Sequence, residues 1–405
     1  METVPLIGVE DVRRARDLLD GVVRLTPLEH CRVLTERVGS PVFLKCENLQ
    51  HTGSFKLRGA YVRLSRLDPE QRARGVVAAS AGNHAQGVAL AARMLGLAST
   101  VFMPSGAPLP KVAATMSYGA AVHLVGLTLT DALDAAIEFA TGTGAVFIHP
   151  FDHPDIIAGQ GSVGLEILEQ CPQVRTILVC TGGGGLVAGI AAAVKGIDPS
   201  IRVVAVQAEG AAAFPPSLAA GRPVRLDTLA TMADGIAVPR PGEVTFGHVR
   251  DLVDEVVTVS EDALSRALLL CLERAKLVVE PAGAAGVAAL MELPDRFAGP
   301  VVAVLSGGNV DPILLLRVMQ HGMVAAGRYL SLRLRVPDRP GSLAAVLALV
   351  ADLGANVLDV EHGRTSGKLH LGEVDLALSL ETRGAEHSER VVGQLSQAGY
   401  LSEPG

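Results

Sequence analysis

The chain has 405 residues, 49% hydrophobic and 19% charged, which is long and apolar enough for two or three globular domains with a sizeable core. A formal net charge of −7 gives no electrostatic reason to expect nucleic acid or an anionic membrane as the main partner, so small molecules are the expected ligands. Five scattered cysteines (Cys31, Cys46, Cys171, Cys180, Cys271) form no C-x-x-C pair, and the N-terminal stretch has charges throughout; both predict a reduced, cytoplasmic protein without an export signal.

From Val42 to about Met323, short β-branched runs alternate with Ala-rich stretches of helical period. Strands are predicted at 42–46, 75–80, 99–104, 121–126, 145–150, 176–180, 202–209 and 300–308, several of them apolar throughout, as parallel strands covered on both faces are. Helices are predicted at 85–96, 110–119, 131–142 and 261–276. This alternation argues a doubly wound α/β architecture in two lobes. Ile177 to Val194 is 18 residues without a charge, near the lower length for a membrane span, yet five are glycines and four of those are consecutive, which suits a strand, a turn and a helix. After a linker at 324–330 the pattern changes to a strand at 331–336, a Pro-Asp-Arg-Pro-Gly turn, a helix at 342–354, strands at 355–365 and 368–383, and a helix at 387–399. That is a separate α+β unit of the β-α-β-β-α-β kind, with its last strand nearly missing at 400–405.

Thr181 and the run Gly182, Gly183, Gly184, Gly185 and Leu186 follow a buried strand and open a helix, so their amides and the helix N-terminus form a site for a phosphate dianion. The tract also fits the dinucleotide fingerprint as Gly183-x-Gly185-x-x-Ala188, with Glu209 ending the next strand near where a ribose-binding acid would lie. On the tract alone, a dinucleotide, another phosphate cofactor and a structural glycine turn all stay open. Three further pieces sit where strands run out: Ser80-Ala-Gly-Asn-His84, Ser306-Gly-Gly-Asn309 and Thr52-Gly-Ser-Phe-Lys56. In a doubly wound sheet such ends converge on the ligand crevice.

In order and spacing, SFKLRGA (54–60), SAGNHAQG (80–87), TGGGGL (181–186), ADG (233–235), SEDAL (260–264) and SGGN (306–309) resemble the fold-type II pyridoxal-phosphate enzymes, most closely the threonine ammonia-lyases, or threonine dehydratases. The resemblance implies a two-lobed doubly wound sheet of the tryptophan synthase β-like kind over residues 1–323, with pyridoxal 5'-phosphate as cofactor. It implies that Lys56 bonds the cofactor, Phe55 flanks its ring, Asn83 bonds its hydroxyl, Gly182 to Leu186 hold its phosphate and Ser306 faces the pyridine nitrogen. Ser80, Asn83 and His84 would bracket the substrate carboxylate. Read from the residues alone, Asn83 is equally a helix cap and His84 a packed loop histidine, while Glu280 either lines the site or caps a helix. The chemistry suits the roles: a desolvated lysine loses its proton readily and becomes nucleophilic. The expected reaction is removal of the α-proton by Lys56, loss of a β-hydroxyl, and hydrolysis of the released enamine to a 2-oxoacid and ammonia.

Racemases of this fold carry a serine where this chain has Ala81, and relatives with divalent-cation sites carry acids where it has Gln207 and Ala213. A lyase without a divalent metal is therefore expected, with a monovalent cation on backbone carbonyls left open. Asp338-Arg-Pro-Gly-Ser-Leu343 and Gly354-Ala-Asn-Val357 resemble an ACT domain over 331–405, implying an amino-acid effector such as isoleucine near Asp338, Gly341, Ser342, Leu343 and Asn356, or a dimerisation module without ligand. A homodimer or homotetramer acting on L-threonine, with L-serine as second substrate, is the expectation, in isoleucine biosynthesis or threonine catabolism. The alternatives are a serine or 3-hydroxyaspartate lyase, a nicotinamide-dependent dehydrogenase, and a non-catalytic amino-acid sensor.

Overall fold

A computed structural model describes residues 6–364, 370, 372–400 and 402–404. The chain divides into two compact units, Met1–Leu315 and Leu316–Gly405. Among its described residues the first has ten strands: β1 (Leu28–His30), β2 (Val42–Cys46), β3 (Val76–Ala79), β4 (Ser99–Met103), β5 (Ala121–Leu124), β6 (Val146–Phe147), β7 (Thr176–Cys180), β8 (Arg202–Ala208), β9 (Glu255–Val259) and β10 (Val301–Leu305). They form a six-stranded sheet in the order β1-β2-β10-β7-β8-β9 and a four-stranded sheet in the order β5-β4-β3-β6. Every pairing is parallel except that of β1 with β2. β3, β7 and β10 are buried at every residue, as strands with helices on both faces must be.

The predicted 145–150 strand shortens to Val146–Phe147 for a local reason. Pro150 has no amide to give a ladder, and the His149 Nδ1 accepts the Asp152 amide at 2.8 Å, which turns the chain out of the sheet. β9 closes the large sheet from a segment too short and too mixed with Glu and Thr to stand out by pattern. The apolar run 177–194 divides into the end of β7, the glycine turn and the helix Gly185–Lys195, and among the described residues no helix is long and apolar enough to cross a membrane.

The helix Pro154–Gln170 is the spine of this unit. On one side Gly159 abuts the helix Lys56–Ser65: a Cβ there would lie 2.6 Å from the Gly59 Cα. On another, Gly161 abuts the helix Gly185–Lys195, its Cβ position 2.7 Å from the Gly189 carbonyl oxygen. One helix thus fixes both the lysine-bearing helix and the helix that opens from the glycine tract, at backbone contact distances only glycine permits.

The second unit is a four-stranded antiparallel sheet of β11 (Tyr329–Pro337), β12 (Asn356–Gly363), β13 (Glu373–Glu381) and β14 (Ser402–Pro404), in the order β12-β13-β11-β14. Leu332, Leu334 and Val336 pair with Leu378, Leu376 and Val374 on the covered face, where the helices Ser342–Asp352 and Ala385–Gln397 supply Val346, Val350, Val391 and Leu395. The last strand has three residues, and parts of the predicted strands at 365, 368–369, 371, 401 and 405 lie outside the described residues.

Candidate active site

The site is built at the carboxyl ends of β3, β7 and β10 and on the turn before the helix Lys56–Ser65. That turn is an arch, with Thr52 at φ 63° and Gly53 at φ 69°. For a β-branched residue the left-handed region costs about 1–3 kcal/mol and persists only where the surroundings impose it. They do so here through stitches to the loop after β10: the Phe55 amide donates to the Ser306 carbonyl at 3.1 Å, the Gly308 amide to the Gly53 carbonyl at 2.9 Å, and the Asn309 Nδ2 to the Thr52 carbonyl at 2.6 Å. The arch delivers Lys56 at the first turn of its helix, where a Cβ on Gly87 would lie 3.1 Å from the Lys56 carbonyl carbon.

Among the described residues the Lys56 ammonium has one hydrogen-bond acceptor, the Pro150 carbonyl at 2.9 Å, and it lies 5.2 Å from the centre of the Phe55 ring. Its surroundings are densely packed, and desolvation lowers its pKa to about 8, with the charges of Cys180 and Glu280 opposing. A lysine in this state offers a substantial neutral fraction near physiological pH.

Ser306 is buried beside the Cys180 thiol, which burial pushes up to about 11 and which bonds the Ser306 side chain. Asn83 opens the helix Asn83–Leu95 and is held at both ends of its amide: Nδ2 donates to Glu280 Oε1 at 2.6 Å, and Oδ1 accepts from Asn309 Nδ2 at 2.6 Å. Glu280 is buried, and desolvation raises its pKa. Asn309 and Glu280 hold the Asn83 amide from its two ends; in the sequence Asn309 closes SGGN, and Glu280 precedes Pro-Ala-Gly in a stretch that reads equally as a cap.

The glycine tract shows what it is shaped to hold. Gly184 has φ 97°, and a Cβ on Gly183 would lie 2.4 Å from the Phe151 ring, so no side chain fits in the turn. Among the described residues no acceptor takes up the amide hydrogens of Gly182, Gly183 or Gly184, although Gly183 and Gly184 are buried. Buried amides without an acceptor at a helix start are the donor set a phosphate dianion satisfies. Gln207 lies below: its Nε2 donates to the carbonyls of Thr181 at 3.2 Å and Ala211 at 3.5 Å, and its Oε1 accepts from the Phe214 amide.

The structure joins Phe55 to Ser306 by a main-chain bond, sets Asn83 Nδ2 3.1 Å from the Gly307 Cβ position, and links Lys56 to the glycine tract through Pro150 and Phe151; Ser80 ends β3, in the smaller sheet. His84 is a correction. Its Nε2 is bonded to the Ile148 carbonyl at 2.8 Å and burial drives its pKa down to about 3, so the ring is neutral, its proton is committed, and it has no donor for a carboxylate. The five effector candidates do not form one cluster either. Asp338 follows Pro337, which pairs with Glu373 at one end of β13, and Asp338 is bonded to Arg364; Asn356 pairs with Glu381 at the other end. Eight residue steps along β13 separate those ends, roughly 27 Å.

A family model for pyridoxal-phosphate dependent enzymes matches residues 19–307, and an ACT domain model matches residues 330–399. An L-threonine ammonia-lyase of Thermotoga maritima is 46% identical over 98% of this chain and 98% of its own length. The chain belongs to the threonine ammonia-lyase family of pyridoxal-phosphate dependent enzymes. Among solved structures, a threonine deaminase from T.th. is 42% identical with a TM-score of 0.72, covering 75% of this chain and 99% of its own. Maize serine racemase is 38% identical with a TM-score of 0.74, covering 78% of this chain and 97% of its own. The family's cofactor is the phosphate ester the glycine tract fits, and this membership displaces the dinucleotide reading of that tract.

Proposed function

We propose that this chain deaminates L-threonine to 2-oxobutanoate and ammonia, and L-serine to pyruvate at the same site. The observation that carries the reading is the Lys56 amine, lowered to about pKa 8 and held by the Pro150 carbonyl, next in the chain to Phe151, whose ring lies 2.4 Å from the Cβ position of Gly183 in the tract of unclaimed amides. Pyridoxal phosphate, when bound, supplies an electrophilic carbon for amines and an electron sink that acidifies the substrate α-proton. Gly182 to Leu186 would hold its phosphate, Phe55 would flank its ring, and Lys56 would bond it. Lys56 Nζ, once free of that bond, is the base for the α-proton, a task its lowered pKa suits. Asn83 has one Nδ2 hydrogen on Glu280 and a second left for the cofactor oxygen. Ser306 would offer the cofactor ring a neutral hydroxyl rather than a carboxylate, which suits β-elimination. Both hydrogens of the Asn83 side-chain amide being taken, the Ser80 hydroxyl, whose oxygen accepts the Gly82 amide, and the Asn83 main-chain amide at the helix start would meet the substrate carboxylate. Ala81 carries no proton for the opposite face of the substrate, which supports a lyase over a racemase.

Threonine and serine differ by one methyl, a difference a hydrophobic pocket resolves by about 1–3 kcal/mol. The second unit supports feedback by an amino acid such as isoleucine, in a cytoplasmic homodimer or homotetramer. Because Asp338 and Asn356 lie at opposite ends of β13, an effector meeting both needs a second copy of the unit. The Thr181 and Ala211 carbonyls already accept from Gln207, so a monovalent cation would have to compete with that amide.

The test is direct. Purified protein should be yellow, should release a 2-oxoacid from threonine, and should lose its colour to borohydride with the label on the peptide containing Lys56. A colourless protein that binds NAD, or Lys56→Ala with full deaminase activity, overturns the reading. Deleting the residues after about 330 should leave turnover and abolish inhibition by isoleucine; inhibition that survives the deletion overturns the regulatory part.

A further inference from the structure

The amide direction in the glycine tract is set from outside the tract. Thr245 is fully buried in the first turn of the helix Glu243–Leu252, and its Oγ1 donates to the Gly183 carbonyl at 2.6 Å, with a longer contact to the Gly242 carbonyl at 3.3 Å. In a trans peptide the carbonyl and the following N–H point in opposite directions. Holding the Gly183 carbonyl on Thr245 therefore holds the Gly184 N–H on the side away from Thr245, where no described acceptor meets it.

Thr245 is itself pinned by a residue distant in sequence. The Asp152 carboxylate accepts the amides of Glu243 at 2.9 Å, Val244 at 2.9 Å and Thr245 at 3.0 Å, capping the helix start where its partial positive charge lies. A Cβ on Gly242 would sit 2.2 Å from that carboxylate, so the approach needs glycine there. The residue before Asp152 is Phe151, whose ring blocks the Gly183 Cβ position from the other side.

We propose that Thr245, anchored by Asp152, is the positioning residue that aims the Gly184 amide and so sets the affinity of the tract for a phosphate ester. This rests on the reading that Gly182 to Leu186 hold the cofactor phosphate, and the experiment separates the two. Apo-protein is titrated with pyridoxal phosphate, with pyridoxal, which lacks the phosphate, and with inorganic phosphate, and the 31P resonance of the bound ester is recorded. Loss of an aimed hydrogen bond to a charged group predicts that Thr245→Val weakens pyridoxal phosphate and inorganic phosphate by about 10- to 100-fold and moves the 31P resonance, with pyridoxal binding unchanged. Thr245→Ser, which keeps the hydroxyl, should restore phosphate binding to within about threefold of the unaltered protein, and Asp152→Asn should show a smaller loss of the same kind. If Thr245→Val does not fold, Asp152→Asn carries the same comparison. Equal weakening of pyridoxal and its phosphate, or no weakening of either, overturns the proposal. An unaltered protein that prefers pyridoxal phosphate no more than pyridoxal overturns the phosphate reading instead.

Discussion

Lys45 and Lys56 lie eleven positions apart, the first fully buried and the second half-buried, and their surroundings are opposite. Lys45, on β2, gives its three hydrogens to Glu166 at 2.6 Å, Gln170 at 2.8 Å and the Thr26 carbonyl at 2.9 Å. Glu166 also binds Arg58 at 2.6 Å, and Arg58 takes Glu47 at 2.8 Å through both Nε and Nη2, so two cations and two carboxylates are buried as a neutral set. Burial alone would raise Glu47, but Arg58 holds its carboxyl below the ordinary range. Among the described residues Lys56 has no carboxylate in contact and a single carbonyl. The number of acceptors, more than burial itself, separates an amine that serves as a structural ion from one free to react.

The largest effect expected from breaking this contrast is on the structural side. Arg58→Met strips Glu47 of its cation and leaves two buried carboxylates facing Lys45 alone, a loss of about 3–5 kcal/mol of unfolding free energy in urea. Lys45→Met should cost less, about 3 kcal/mol, because Glu166 keeps Arg58. A change below about 1 kcal/mol for Arg58→Met would mean that water reaches the cluster. Arg58 sits two residues beyond Lys56 on the same helix, so its loss should also displace the amine and slow turnover in protein that remains folded.

This contrast was only half legible in the sequence. The motif SFKLRGA carries both residues, and family order singles out Lys56; nothing local marks Arg58, because Glu47 and Glu166 stand 11 and 108 positions away with no pattern to betray the pairing. The strands β3 and β10 are plain from their unbroken apolar runs, whereas β9 and the early end of β6 depend on sheet closure and on a histidine turn. Likewise the glycine tract announced a phosphate, but the residues that aim its amides, Asp152 and Thr245, are ordinary polar residues until the fold places them there. His84 misled for the opposite reason: it lies inside a matched motif, and only its bond to Ile148 shows that the ring faces inward.

On the reactive side the sign reverses. With a folded pKa of about 8 against an ordinary lysine value near 10.4, the charged Lys56 is less favoured in the folded protein than in the unfolded chain. The cost is complete below about pH 8, where both states carry the proton, and is relieved as pH rises from there towards 10.4, where the folded amine has already released it. Lys56→Met should therefore stabilise the cofactor-free protein, by about 1–3 kcal/mol at pH 7 after allowing for the partial exposure of the residue. The gain should shrink towards zero by about pH 10.4. Cofactor must be absent, since anything bound to the folded state alone would stabilise the unaltered protein and mask the difference. Urea unfolding of the two proteins from pH 7 to 10 reads this out. A difference that stays flat across the range, or a variant less stable at pH 7, would show that the Lys56 amine is solvated as an ordinary surface lysine is. The same substitution at Lys45 and at Lys56 would then shift stability in the same direction, and the distinction between the two amines would fail.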